Sequence, residues 1–561
     1  MTIKVLKPEL ISKIAAGEVI ERPASVVKEL IENSLDAGAS QITIEIDDGG
    51  IKSIKVIDDG NGIQKDDVEL AFCRYATSKI SNLTDLDTIS SLGFRGEALP
   101  SIAAVAEVEL STKTPSDIVG SFVNMQRGEL LRQEDISRPS GTTVTVHNLF
   151  RYLPARLKFL KSVNTENSHI SHIVSQYALS FPEVKFSLLL DKRSSIRTAG
   201  DGVLRGVVNQ ILGFEIAEKM LEISKENINI KVTGLVSPHS LTRSDRSFLS
   251  FFANRRWVHS PLLIRAVEQA YHGLLMVGRH PLAIIRLTIP PEEIDVNVHP
   301  TKAQIKFHDE RAIFASVKKA VDEVMMSAPI AKINAQFPSA ISWPQQRPLE
   351  VKERVPVFEG FSDVGNTSSV NLPALRVLGQ VDNTYIVAEG PDGLYIIDQH
   401  AAHERIRFDR ILEQWAKHQV EIQGLLQPIT IELSPREEEI WRGNQEILLK
   451  FGFTVESFGD RYYMLRAVPA LVANENMHEV IAELLDTLSS KGDATPWEEK
   501  IAQSLSCHGA IKAGQQLSNE EIRGLINQLE QSKQPRTCPH GRPVIVHMSL
   551  FQLEKEFGRK V

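Results

Sequence analysis

Apolar residues recur at helical spacing along the stretch Gly17 to Gly38, GEVIERPASVVKELIENSLDAG, where Val26, Val27, Leu30, Ile31 and Leu35 share one face. Pro23 suits a first helical residue, whose N–H would have no partner there, and Gly38 suits a left-handed C-terminal cap. The pattern predicts one helix between those two markers, with Glu29, Asn33 and Asp36 following one another at i, i+4 and i+7 on the other stripe. The period then changes to two. Ile42, Ile44 and Ile46, a turn at Asp48-Gly49-Gly50 and a second apolar run from Ile54 to Ile57 predict a hairpin.

Residues from about 144 to 190 continue this first domain, and a new unit begins near Asp201. There Phe248 to Ala253, a turn at Asn254-Arg255-Arg256 and Trp257 to His259 read as a hairpin, followed by a helix from about Leu262 to Leu275 and a strand from Leu282 to Thr288. Strand, helix and strand in that order predict a small α/β domain. From Ser327 to Leu372, Pro329, Pro338, Pro344, Pro348 and Pro356 interrupt any helix. Such a linker, as a flexible coil, spans roughly 35–40 Å root-mean-square. Beyond Pro373, short strands near Arg376 to Gln380, Tyr385 to Ala388 and Leu394 to Ile397 precede a helix beginning near Gln399. The apolar spacing of Val480 to Leu488 fits either a dimer surface or core. The chain thus divides into 1–200, 201–326, a linker at 327–372, and 373–561, a multidomain protein of α+β and α/β units.

Composition adds exclusions. A formal net charge of −8 argues against coating nucleic acid by bulk electrostatics, so any DNA contact is local. No run of eighteen apolar residues marks a membrane span, and the opening MTIKVLKPELISKIAAGEV has no extended apolar core or small-residue cleavage site. Three cysteines, Cys73, Cys507 and Cys538, fit a reducing compartment, and the expected location is the cytoplasm. Cys73 follows Ala71-Phe72 in an apolar stretch and is expected to be a small core hydrophobe.

Taken alone, the stripe of Glu29, Asn33 and Asp36 would simply face water. The neighbouring segments give it chemistry. The hairpin ends in Asp58-Asp59-Gly60-Asn61-Gly62, where Asp58 offers an acceptor to an amino group such as that of adenine. Thr77-Ser78-Lys79 and then Gly93-Phe94-Arg95-Gly96-Glu97-Ala98-Leu99 form a glycine-punctuated loop running into a helix, an arrangement that cradles phosphates. A phosphate-loop ATPase is excluded, because the chain has no Gly-Lys dipeptide.

This order of motifs resembles the ATPase superfamily of gyrase B, the histidine kinases and MutL. The words ENSLDAG, DDGNGI, TSKI and GFRGEAL are similar to the MutL family itself. The resemblance implies a gyrase B-type ATPase sandwich in which Glu29 activates water, Asn33 holds Mg²⁺ and Asp58 reads adenine. It places Asp36, Gly62, Thr77, Ser78 and Lys79 around ATP, makes Gly93 to Leu99 a lid, and makes Gly141-Thr142-Thr143 a strand contact, with Thr143 at the nucleotide. RYLPARLKFL at Arg151 to Leu160 resembles a further signature, open between a DNA-facing patch and a solvated helix face. The second unit is similar to the transducer domain of that family, a fold shared with a ribosomal protein. Ala253 and Arg255 replace the valine and glycine of its Phe-Val-Asn-Gly-Arg turn. Arg255 and Arg256 are candidates for DNA phosphates or for an exposed, solvated turn. In DVNVHPTKAQIKF the resemblance sends Lys302 to the γ-phosphate.

In the C-terminal part, DQHAAHERIRFDR puts His400 and Glu404 one turn apart just after Asp398, a spacing suited to a transition metal. CPHGRP adds Cys538 and His540, alternating by two as an extended segment would present them. His with Cys favours zinc, while carboxylates also recruit manganese. These segments resemble the nuclease site of nicking MutL proteins. In this chain the last acidic position of that motif is Asp409 in place of Glu, about 140° from Glu404 around a helix and so expected not to share its metal. The segment from Ser506 to Ala513 resembles a further piece of that site and would add Cys507 to its ligands. Gln423-Gly424-Leu425-Leu426-Gln427-Pro428 resembles a sliding-clamp motif through Gln423, Leu426 and Pro428.

The resemblance implies a bacterial mismatch-repair ATPase that closes as a homodimer on ATP and Mg²⁺ and nicks DNA with Zn or Mn. Its implied partners are DNA, the mismatch-recognition protein MutS, a sliding clamp and a helicase, with association at the nucleoid when active. Two alternatives are an ATP-gated matchmaker without nuclease activity and a type II topoisomerase ATPase subunit. The C-terminal half lacks the Asp-x-Asp expected of the latter.

Overall fold

The computed structural model describes residues 20–79, 91–93, 96–227, 229–275, 278–295, 305–327, 373, 375–489, 496–508, 515–557 and 559. The opening segment and nearly all of the expected linker therefore lie outside the described residues. Helix α1, Pro23–Asp36, begins on the predicted proline. It ends where Ala37 and Gly38 donate to Asn33 and Leu35 at 3.0 Å, with Gly38 at φ +73° as a glycine cap requires. Val26, Val27, Leu30 and Ile31 are buried, each stabilising the fold by about 1.5–3 kcal/mol relative to exposure. Burying that face turns Glu29, Asn33 and Asp36 to the other side, where all three are half-buried.

The helix packs on an eight-stranded sheet made of β1 (Gln41–Asp47), β2 (Ser53–Asp58), β3 (Glu107–Lys113), β4 (Gly120–Gln126), β5 (Glu129–Ile136), β6 (Gly141–His147), β7 (Lys185–Leu190) and β8 (Arg193–Arg197). The order is β5-β4-β3-β6-β2-β1-β7-β8. The predicted hairpin is β1 and β2, with Ile44 opposite Val56 and every second residue buried. Helices α2 (Ala98–Val105) and α3 (Val163–Ser180) share the same apolar core. So does α4 (Leu204–Leu212) through Val207, Val208 and Ile211, so packing of the first core continues past Asp201.

Strands β9 (Leu221–Glu226), β10 (Lys231–Val236), β11 (Leu249–Ala253), β12 (Arg256–Val258) and β13 (Ala283–Thr288) form a second sheet in the order β12-β11-β13-β10-β9. The predicted hairpin is β11 with β12, and β13 returns parallel to β11 after helix α5 (Pro261–Ala270). The turn closes without glycine. Asn254 and Arg255 take φ +46° and +69°, a conformation costly for side-chain-bearing residues. Asn254 offsets that cost by exchanging two hydrogen bonds with the backbone of Ile289, at 2.8 and 2.9 Å.

The expected C-terminal domain divides between two compact units. Residues 410–509 belong with 1–326, and residues 327–409 with 510–561. The second unit has an antiparallel sheet in the order Arg376–Val381, Tyr385–Gly390, Gly393–Asp398, Ile545–Ser549. A helix begins at Gln399 as predicted, with Ile397, Ala401, Ala402, Ile526 and Cys538 in the core. In the first unit, the helix Pro435–Lys450 packs against α3, where the Asn167 amide donates to Glu439 at 3.3 Å. Within Met477–Ser489, Val480, Ile481, Leu484 and Leu485 are buried, so that helix serves the core. Strand Ile422–Glu432 pairs with Tyr462–Pro469 on both sides of a break: Gly424 faces Ala467 and Ile429 faces Leu465, so residues 425–428 leave the ladder. One expectation is overturned. Cys73 is exposed, because it follows a short turn, Leu70–Phe72, with its Sγ 3.8 Å from the Glu69 carbonyl instead of in the core.

Candidate functional site

The polar stripe of α1 meets two loops. Asp36 accepts the N–H groups of Leu92 and Gly93 at 2.8 and 2.9 Å, one on each oxygen, and takes Lys79 Nζ at 2.6 Å. The same ammonium donates to Asn33 Oδ1 at 3.1 Å. The words Lys79, Asn33, Asp36 and Gly93, scattered over sixty positions of sequence, thus share a few ångströms. Thr77 supports the loop by accepting the Lys79 N–H at 3.2 Å, while Ser78 is exposed. Gly96, at φ +61°, lies so close to this loop that a Cβ would stand 2.3 Å from the Ala76 carbonyl oxygen. Glu97 immediately precedes α2, which contains Ala98 and Leu99. Phe94, Arg95 and Lys302 lie outside the described residues.

Glu29 is flanked by Lys28 at 3.6 Å, and Lys28 also reaches Glu32 at 3.4 Å. Behind it, the Tyr177 hydroxyl donates to Glu32 at 2.6 Å. Asp58 ends β2 and is buried. Burial pushes its carboxyl above the usual range, and hydrogen bonds from Gly60 N–H (3.0 Å), the Ser34 hydroxyl (2.9 Å) and Thr142 N–H (3.1 Å) offset this in part. Thr142 is therefore the β6 residue that touches Asp58, whereas Thr143 accepts from Arg138 at 3.3 Å. Gly62, at φ +70°, follows on the exit from the strand.

The two turn arginines part company. Arg255 is the exposed partner of Glu183, with its guanidinium 4.5 Å from the centre of the Phe181 ring. Arg256 is buried and donates to the carbonyls of Ser91 and Leu92, at 3.2 Å for Leu92. Of the exposed basic turn only Arg255 remains, because Arg256 opens a strand and its side chain follows the alternation inward.

In the second unit, Glu404 is buried between two imidazoles, His400 Nε2 at 3.2 Å and His540 Nδ1 at 3.6 Å. Burial would raise its carboxyl, but the two histidines outweigh this and hold it well below the usual carboxylate range. Burial would likewise raise the Cys538 thiol, yet hydrogen bonds from His540 and the Arg542 backbone bring it below its ordinary value. Cys538 and His540 are presented by a tight turn and not by an extended segment: Cys538 N–H donates to Arg542 O and Gly541 N–H to Cys538 O, both at 2.9 Å. Asp398 accepts the N–H groups of His400 and Ala401 at 2.9 and 3.0 Å and so caps the helix that carries Glu404. Asp409 pairs with Arg405 at 3.4 Å and accepts Lys533 N–H at 3.1 Å, which engages it away from Glu404 as its helical angle predicts. Cys507 ends the helix Trp497–Cys507 in the first unit.

Gln423, Leu426 and Pro428 lie on the broken strand, all exposed, with Leu426 at 103% of its reference exposure. Sequence reasoning missed Ser34, Lys28, Glu32 and Tyr177. Ser34 and Lys28 sit on the identified helix and were within reach of helical spacing; Tyr177 had no local signal.

Residues 20–149 match the family model for histidine kinase-, DNA gyrase B- and HSP90-like ATPases. Residues 208–326 match that for the C-terminal domain of DNA mismatch repair protein, and residues 378–517 that for the MutL C-terminal dimerisation domain. The chain is similar to DNA mismatch repair protein MutL of Methanothrix thermoacetophila, 38% identical over 564 residues with 100% of each chain covered. It is similar to MutL of Dictyoglomus turgidum, 38% over 573 residues with 99% of each covered, and of Shouchella clausii, 35% over 651 residues with 99% of each covered. A solved structure described as the N-terminal domain of a DNA repair protein superposes with a TM-score of 0.50 at 27% identity, covering 57% of this chain and 99% of that one.

Proposed function

Because this chain belongs to the MutL family of DNA mismatch repair proteins and carries its ATPase domain, we propose which residues run its ATPase cycle and what its C-terminal cluster does. Asp58 receives the adenine amino group. Asn33 would hold Mg²⁺, and Asp36, Gly62, Lys79, the 93–99 loop, Thr143 and Lys302 would surround the triphosphate. Bound Mg²⁺ supplies charge neutralisation on the phosphates. Glu29 accepts a proton from water as its oxygen forms the bond to the γ-phosphorus, and the bond to the β-phosphate oxygen breaks to leave ADP and phosphate. The carrying observation is the convergence of Asn33, Asp36, Lys79 and the Leu92–Gly93 backbone, with Asp58 at the end of β2, the second strand of the hairpin that follows α1. The donor set fits: a carboxamide oxygen for a hard cation, an ammonium for phosphates, and a buried carboxylate for an amine. Calorimetry with a non-hydrolysable adenine analogue and Mg²⁺ tests it, with heat expected and its absence decisive against.

For the second unit we propose a zinc- or manganese-dependent DNA-nicking site in which Asp398 and Glu404 are the catalytic carboxylates, His400 is a further ligand, and Cys538 and His540 hold a regulatory or structural zinc. It is supported by a buried carboxylate already flanked by two imidazoles and by a thiol biased toward its metal-binding form. Asp398, His400 and Glu404 would hold a divalent ion, whose chemistry there would be to activate water and neutralise charge on a phosphodiester. Nicking of supercoiled plasmid with Mn²⁺, lost in Asp398→Asn, is expected; a metal-free protein that does not nick would instead be an ATP-gated matchmaker. The homodimer reading rests on the match to a dimerisation domain. The protruding Leu426 favours a clamp contact through Gln423, Leu426 and Pro428, and Arg255 is the retained candidate for DNA phosphate. MutS, a helicase and a cytoplasmic, nucleoid-associated setting complete the proposal, with the 327–372 linker cut first by light protease treatment.

A further inference from the structure

The loop segment Ser91 to Gly93 is gripped from two directions. Its N–H groups at Leu92 and Gly93 point to Asp36 on α1, and its carbonyls at Ser91 and Leu92 point to the guanidinium of Arg256, which opens β12 in the second sheet. Asp36 and Arg256 are separated by 220 positions in sequence. Arg256 is only 7% exposed, and Glu32, Asp36 and Tyr177 all act on its charge. Glu32 in turn shares Lys28 with Glu29. A planar fork of N–H donors suits this place, since it binds two successive carbonyls at once, which a single ammonium does not. The segment continues directly into the loop assigned to the triphosphate.

We propose that Arg256 is a positioning residue of the ATPase, which fixes the root of the nucleotide loop and makes its order depend on the second domain. This rests on the ATPase reading above. Arg256 touches neither substrate nor reacting atoms; it acts through the Ser91–Leu92 carbonyls. Loss of a charged partner to the buried Leu92 carbonyl and the half-buried Ser91 carbonyl unpins the loop root while α1 retains its own cap and core face. The arrangement also accounts for a buried arginine in a turn whose sequence suggests an exposed basic surface.

The test compares full-length parent protein, Arg256→Gln and Arg256→Lys. Hydrogen exchange at Leu92 and Gly93 should quicken at least about tenfold in Arg256→Gln, with β1 and β2 unchanged, and the KM for ATP should rise about tenfold with little change in kcat. Arg256→Lys should recover part of both effects. Parent-like exchange and KM in Arg256→Gln would overturn the proposal, as would faster exchange spread through β1 and β2, or a lysine variant no better than glutamine. Calorimetry of the parent with the non-hydrolysable analogue and Mg²⁺ separates the two levels. Heat there with unchanged variants refutes the positioning role alone, whereas no heat refutes the ATPase reading and this proposal with it.

Discussion

Asp36 and Asp58 at the first candidate site and Glu404 at the second are held by different kinds of partner. Asp36 and Asp58 accept backbone N–H groups from Leu92, Gly93, Gly60 and Thr142, whereas Glu404 faces the imidazoles of His400 and His540. Main-chain donors are placed by strands and loops, so the first site depends on the fold itself. Imidazole and thiol groups give up protons when they take a metal, so the second, under the metal-site proposal, would answer to pH and metal supply. One chain therefore carries a site built by topology and another built by side-chain identity.

Glu29→Ala separates the two sites most strongly. It should lower kcat for ATP by about 10²–10⁴-fold in a phosphate-release assay, with nucleotide binding heat and C-terminal metal content retained. Parallel loss of metal would show that the sites are not separable. Next in size, Glu404→Gln or His540→Ala should weaken zinc or manganese binding at least about tenfold in chelator competition, with ATP turnover unchanged.

Asp486 is a carboxylate held, among the described residues, neither by backbone N–H groups nor by imidazoles. It is buried, accepts the Ser244 hydroxyl at 3.1 Å and has Asp245 nearby; burial first, then Asp245, pushes it up from 3.8 to about 7. Its folded form thus keeps a proton that the unfolded form has released. The resulting stability is fully present below about 4 and is lost as pH rises toward about 7. Hydrogen exchange in Met477–Ser489, corrected for intrinsic rates, should quicken over that interval, and Asp486→Asn should flatten the dependence. A parent profile already flat would remove Asp486 from this role. Smallest of all, Leu426→Ala should change stability by less than about 0.5 kcal/mol in denaturant melts, since its side chain is fully exposed. A larger loss would mean that it packs in solution.

How much of this was legible depended on distance along the chain. Pro23, Gly38 and the β1–β2 hairpin are fixed by local period and capping, and the helix at Gln399 began where predicted. The stripe on α1 was visible because helical spacing alone assembles it. Arg256 was misread because the carbonyls that bury it are 164 and 165 positions away, beyond any local pattern. Thr142 and Thr143 are adjacent, and only the register of β6 against β2 decides which N–H meets Asp58. The Cys538–His540 spacing was equally compatible with a strand and with the turn that forms, since Gly541 at φ +80° closes it. Asp398 carried two compatible roles, cap and ligand, and the structure displays the cap.

The interruption in strand Ile422–Glu432 has a consequence for how this surface can change. Four residues stand outside the pairing scheme while Gln423 and Gly424 on one side and Ile429 to Glu432 on the other keep the strand anchored. Vocabulary and grammar are thus separated at this edge: the protruding letters can be rewritten to suit another listener without the sentence around them falling apart.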